Sequence, residues 1–539
     1  MSFSSQISTS YDAANQATGE TTAVTGQPAR AISYSYDADG RRTTTTYPGG
    51  SVVSASFTDR SQVATIGLDG ATVAQYEYNP VGNVTAKTLE NGMSALYSYD
   101  AAHRLTAIEH RKGADLLASF AYTLDSIGNR KSKAAAGLNP LAENYAYDAA
   151  DQVTQAKYGT ARTVAYTYDA SGNRQLVSDS GSTQSYAANA LNQYTSVGGA
   201  AHTYDANGNL IGTSSAAYVY DAQNRLVSAT VNGTVTTFAY DPRNRVVQRT
   251  ANGTITNLTY DGWNLIEERD GTGALQQVYV HGAAVDEILT KVTTTGAVYY
   301  HADGLGSTVA LTNETGQVAE SYTYDAFGAA TIRSASGTVL AASSVGNRFL
   351  FTGREWLSNA GIYDYRNRVY SPALGRFLQS DPIRFSAGDV NIYRYCGNNP
   401  GNWIDPLGLC KRVQIGDADI DAQMDSIFKR IDVANVSKMD FFPDFTSFMV
   451  TLDTRFAPHK NDTYTYDGEK YPKLKGETFS GPELNYIGVG AGFAARGWSR
   501  FESGVAIRAW KATYGAFYPS GNIFSAAGAG YDAFKNRKK

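Results

Sequence analysis

Two cysteines in 539 residues, Cys396 and Cys410, are too few for a disulfide framework in a chain this long, so both are read as thiols. Proline is scarce at 14 residues, and only 18% of the chain is charged. No run of about 18 apolar residues occurs, so no transmembrane anchor is expected. Met1 to Pro28 is polar, rich in Ser, Thr, Gln and Ala, and lacks the apolar stretch of a secretory leader. Metal and phosphate motifs are missing from the C-terminal part, which has neither HExxH nor a P-loop. Gly488-Val-Gly490-Ala-Gly492 follows no clear strand, and no cofactor or metal is expected. No single sign of charge dominates. The net −4 divides into −7 over residues 1–409 and +3 over 410–539, a mild basic bias compatible with a nucleic-acid target.

What the chain has in quantity is tyrosine, 38 residues, and glycine, 52. They recur as a unit: aromatic-x-Tyr-Asp, a short Gly/Asn-rich stretch, then an apolar or polar run. Examples are Tyr34-Ser-Tyr36-Asp37, Tyr97-Ser-Tyr99-Asp100, Tyr166-Thr-Tyr168-Asp169-Ala-Ser-Gly172-Asn173-Arg174 and Tyr322-Thr-Tyr324-Asp325. Tyr220, Tyr240 and Tyr260 are spaced 20 residues apart. Tyr-x-Tyr places both rings on one face of a strand. Asp then opens a turn in which Gly or Asn accepts positive φ, and the following residues start the return strand. Each unit is therefore a β-hairpin, marginal alone and stabilised by its neighbours. The Asp residues of the repeat are read as turn formers, not catalysts.

These repeats resemble the YD repeats of Rhs proteins over roughly residues 30–409. The resemblance implies a mainly β fold, a hairpin spiral forming a complete or partial cocoon around a toxic C-terminal segment. It implies a bacterial effector, made in the cytoplasm and delivered without a cleaved signal peptide, acting in interbacterial competition or on host cells. Implied partners are a cognate immunity protein and a secretion-apparatus or spike component such as that of type VI secretion. The shell is short for the family and no delivery domain is expected within residues 1–30, so the expectation is either that a further chain completes the cocoon or that the chain is a fragment or truncated member.

Residues 299–409 carry the most specific part of the resemblance. Tyr299-Tyr300-His301-Ala-Asp303-Gly-Leu305-Gly306-Ser307 opens it. Gly361-Ile362-Tyr363-Asp364-Tyr365-Arg366-Asn367-Arg368-Val369-Tyr370-Ser371-Pro372 and Gly375-Arg376-Phe377-Leu378-Gln379-Ser380-Asp381-Pro382 follow. It ends at Pro400-Gly-Asn-Trp403-Ile404-Asp405-Pro406-Leu407-Gly408-Leu409, similar to the family's self-cleavage boundary. Two Asp residues held close can share a proton, one acting as base on a water and the other as acid. The resemblance assigns that dyad to Asp381 and Asp405, 24 residues apart, and the scissile bond to Leu409–Cys410. Arg376 biases the dyad or orients the bond, or else makes a structural salt bridge. For the two Asp-Pro pairs the alternative is simple turn formation; for His301 it is a packed strand residue. The expected domains are a polar lead-in 1–30, a repeat shell 31–298, a core 299–409 and a C-terminal toxin domain 410–539.

Beyond Cys410 the repeat rhythm stops. Asp417 to Ile431 and Arg500 to Tyr514 read as helices, giving an expected small, mainly helical α+β domain. His459 is its only histidine. With Lys460, Glu477 or Glu483, and Arg496 or Arg500, it makes a metal-free nuclease site conceivable: His or Glu as general base, the cations stabilising a phosphorane. A solvated loop histidine is the plainer alternative. Two other classes remain open: a membrane-disrupting tip, from the apolar stretches at 486–495 and 523–529 and the basic tail, and a non-toxic YD-repeat surface or adhesion protein.

Overall fold

The computed structural model describes residues 4–409 and the strands Thr463–Tyr466 and Glu469–Pro472. The chain divides into two units, 1–434 and 435–539. In the second unit the two described strands pair antiparallel, Tyr464 opposite Tyr471. The helices expected at 417–431 and 500–514 lie outside the described residues, as does the remainder of the expected toxin domain.

The first unit is mainly β, as the repeat predicts. A 19-stranded sheet begins at Ser5–Tyr11 and ends at Ala200–Ala201, and a 15-stranded sheet runs from Thr203–Tyr204 to Val339–Leu340. Within each, a strand pairs antiparallel with its successor in sequence, for example Met93–Tyr99 with Leu105–Lys112 and that strand with Asp115–Leu124. Residues read as a polar lead-in already form two strands, Ser5–Tyr11 and Ala17–Val24, paired Ser8 to Thr21; alternating Ser and Thr with Ile suits a half-buried pleat. Strand Gly296–Ala302 crosses residue 298, so the second sheet continues without a break from repeat shell into core.

The tyrosine-aspartate pair divides the labour of each hairpin. Asp100 Oδ1 accepts the backbone N–H of Ala102 and of Arg104 at 2.9 and 3.0 Å, while its own N–H and carbonyl close the turn with Arg104 and His103. Asp37, Asp148, Asp169, Asp221 and Asp241 repeat the arrangement. The turn is thus saturated by one side-chain oxygen, which explains why Asp recurs there and why Asn79, Asn189 and Asn313 serve equally in other turns. The tyrosine before it ties its hairpin to the previous one. Tyr99 OH donates to the Val84 carbonyl, Tyr168 OH to Val153 and Tyr240 OH to Leu226, at 2.7–2.8 Å.

The second sheet packs against the first in the same order. Ser5 bonds Tyr240, Tyr47 bonds the Tyr279 carbonyl, Lys87 pairs with Glu287 and Tyr158 receives the Ala326 N–H. The sequence separation across these contacts falls from 235 to 168 residues. A buried histidine pair sits on this seam. His110 donates from Nε2 to the Ala302 carbonyl at 2.9 Å, and its ring lies 5.2 Å from that of His301, which bonds Thr312 Oγ1. Burial pushes His110 down to about 4 and His301 well below its ordinary range, with the Lys87 ammonium adding to both shifts.

Both rings are therefore neutral at pH 7, and acid must charge them inside the seam. A histidine with a lowered folded pKa contributes its full stability above the unfolded value of 6.5 and loses it as pH falls toward 4. The expected loss from His110 alone is about 3 kcal/mol across that window. Thermal melts from pH 7.5 to 4 check this: His110→Gln, which keeps a donor for Ala302, should show a shallower decline than the wild-type chain. Parallel declines would contradict it.

Candidate functional site

The core after residue 348 folds onto both sheets. Four short strands, Glu355–Leu357, Ile362–Asp364, Val369–Ser371 and Arg376–Phe377, pair in sequence order. Their aromatic side chains form a closely packed nest: Tyr370 and Tyr395 rings are 4.4 Å apart, and Tyr365 OH bonds Thr352 Oγ1 and Tyr395 OH. Tilted and edge-on rings at these separations are the favoured geometry of aromatic pairs.

The 24-residue separation of the two aspartates is closed by the chain doubling back. The Phe377 N–H bonds the Tyr393 carbonyl and the Asp381 N–H that of Ile392. Residues 391–402 are then seated by asparagines on successive repeat turns of the first sheet. Asn391 bonds Asn173, Asn398 bonds Gln152 and the Gly172 carbonyl, Asn399 bonds Asn129, and Asn402 accepts the Arg130 N–H. Asn129, Gln152 and Asn173 each stand four residues after a turn aspartate, so the repeat presents amides at regular intervals and the core reads them.

At the end of this path Asp381 and Asp405 are brought together, both buried. They meet on one guanidinium: Arg368 Nη2 lies 2.9 Å from Asp381 Oδ2 and 3.2 Å from Asp405 Oδ2. Arg368 is fully buried, stacks 3.6 Å above the Phe377 ring and donates to the carbonyls of Gly408 and Ile392. Two buried carboxylates need such a partner, since an uncompensated buried charge is expensive. Asp405 Oδ1 accepts the Leu409 N–H at 2.9 Å, so the dyad touches the last residue before the expected cut. Gly408 has φ +64°, and a Cβ there would stand 2.6 Å from the Tyr365 carbonyl oxygen, so only glycine permits this approach.

Arg376 is elsewhere. Its guanidinium stacks 3.5 Å from the Tyr194 ring and donates to the Asn192 carbonyl and Asn173 Oδ1, pinning the core to the first sheet. The arginine between Asp381 and Asp405 is Arg368, which nothing in the sequence distinguishes from Arg366 and Arg376. His301 belongs to the seam described above. Cys410 and the toxin candidates His459, Lys460, Glu477, Glu483, Arg496 and Arg500 lie outside the described residues. Among the described residues no cluster of His, Cys, Asp and Glu is arranged to hold a metal, and no helix is long and apolar enough to cross a membrane.

Sequential antiparallel hairpins, turns saturated by aspartate and a core docked on them define a YD-shell protein. Residues 124–401 match the Teneurin YD-shell family, and residues 11–52 and 78–114 match the RHS Repeat. The chain belongs to the YD-shell family of Rhs/YD-repeat proteins. It is similar to the tRNA nuclease WapA of Bacillus subtilis, 29% identical over 49% of this chain and 12% of that protein. It is also similar to double-stranded DNA deaminase toxin A of Burkholderia cenocepacia, 32% identical over 23% of this chain and 8% of that one. The chain thus spans about an eighth or less of these relatives' length. In fold it resembles the TcdB2-TccC3-Cdc42 crystal structure, with TM-score 0.64 and 18% identity over 74% of this chain and 23% of that one.

Proposed function

We propose that the chain is the shell and core of a self-cleaving toxin, cut after Leu409 and releasing residues 410–539 as a toxic segment retained by the shell. The observation that carries this reading is the Asp381–Arg368–Asp405 triad bonded directly to Leu409 at the end of the core. In the proposed hydrolysis one carboxylate takes a proton from a water, whose oxygen adds to the Leu409 carbonyl carbon. The other carboxyl gives a proton to the Cys410 nitrogen as the C–N bond breaks, leaving a Leu409 carboxylate and a Cys410 amine. Arg368 holds both carboxylates and draws the Gly408 carbonyl into place.

For the released segment a nucleic-acid-directed enzyme is the better supported reading, because the chain is similar to relatives named for a tRNA nuclease and a double-stranded DNA deaminase toxin. His459, Lys460, Glu477, Glu483, Arg496 and Arg500 remain the candidates for that site. A cognate immunity protein would protect the producing cell, and a secretion component or further shell chain would complete delivery. Inducible expression of residues 410–539 tests the toxin. Growth arrest with loss of intact RNA or DNA, at preserved membrane potential, is expected. Prompt depolarisation with intact nucleic acid would replace this reading by membrane disruption, and unimpaired growth would remove the toxin altogether.

A further inference from the structure

Three consecutive residues of one turn hold three consecutive carbonyls of the cleavage segment. Arg366 Nη1 donates to the Pro406 carbonyl at 2.8 Å, Asn367 Nδ2 to the Leu407 carbonyl at 2.9 Å, and Arg368 Nε to the Gly408 carbonyl at 2.5 Å. The turn joins strands Ile362–Asp364 and Val369–Ser371 and is itself fixed. The Tyr365 N–H bonds the Arg368 carbonyl, and Asp364 Oδ1 accepts the Arg366 N–H at 2.6 Å. Each guanidinium is held from its other side. Arg366 pairs with Asp286, which also binds Arg354 at 3.0 Å, and Arg368 pairs with the dyad. The Leu407 carbonyl also accepts the Asn367 backbone N–H at 3.3 Å.

We propose that Arg366, Asn367 and Arg368 form a main-chain clamp that fixes the cut by counting peptide units from Pro406, so that whichever residue follows Gly408 presents its carbonyl to the dyad. This rests on the self-cleavage reading. The chemistry favours register over side-chain identity, because a carbonyl is common to every residue and two of the three donors are charged, which strengthens and aims the bonds. Position 408 is restricted to glycine by the close approach to Tyr365 already described, and the Leu407 side chain is buried in the core. Arg366 and Asn367 are positioning residues: they hold the segment without touching the bond to be broken.

Register is separable from stability by experiment on the full-length chain. An alanine inserted between Gly408 and Leu409 leaves 406–408 in the clamp and pushes Leu409 one place on. The clamp then predicts a cut after the inserted alanine and a released fragment that begins Leu-Cys, read by intact mass and N-terminal sequencing. A fragment beginning at Cys410 would mean that the site follows the leucine side chain, and the proposal falls. It falls equally if the insertion variant stays whole while the wild-type chain cuts. A second variant, Asn367→Ala, should slow cleavage by about ten- to a hundredfold through misplacement of the bond and yield ragged N-termini, with an unchanged melting temperature. Wild-type rate with a single N-terminus would overturn the clamp. An uncut wild-type chain is a different failure: it removes the self-cleavage reading itself.

Discussion

Replacing Arg368 by methionine is expected to abolish self-cleavage and to lower shell stability by about 3–5 kcal/mol, because it strands buried carboxylates beside one another without their cation. Methionine preserves much of the stem volume and the contact with Phe377 but none of the bonds to Asp381, Asp405, Gly408 and Ile392. Arg368→Lys keeps the charge but offers a single ammonium where the native side chain makes bonds through three nitrogens, so it should regain part of the stability and little of the cleavage. Urea denaturation paired with intact mass reads both effects. A methionine variant as stable as wild type, or one that still cuts, would show that Arg368 is not the keystone of the site.

Asp381→Asn and Asp405→Asn should each stop cleavage while leaving the β fold intact. Asparagine keeps size, and at 405 it retains an oxygen for the Leu409 N–H, but it cannot exchange a proton. Each change also relieves one buried charge, so the stability cost should be well below that of losing Arg368. The contrast between the two sets of variants is informative: charge compensation fails in one and proton transfer fails in the other. Circular dichroism and mass spectrometry measure it, and cutting at the wild-type rate in both aspartate variants would rule out the carboxylate mechanism.

The hairpins and their turn chemistry are legible in the sequence because each is local, and that Asp381 and Asp405 meet is suggested by the motif that carries them. Tyr-x-Tyr-Asp announces a strand end and a turn whatever surrounds it, and Asp381 and Asp405 sit in a long motif. Arg368 was not legible, since Arg-Asn-Arg between two short strands reads as solvated turn chemistry until Phe377 and the aspartates close over it. Asn391, Asn398, Asn399 and Asn402 carry no local signal of their seats on the first sheet. Their partners, Asn129, Gln152 and Asn173, are more than 200 residues away, a separation that no local pattern encodes. Arg376 shows the same limit from the other side: adjacency to the motif suggested the dyad, and Tyr194 claimed it.

Electrophoresis and intact mass of the purified, folded full-length chain test the central claim most directly. Two polypeptides are expected, one ending at Leu409 and one beginning at Cys410, that co-elute on size exclusion and separate only in denaturant. A single uncut chain of 539 residues in folded protein would contradict it.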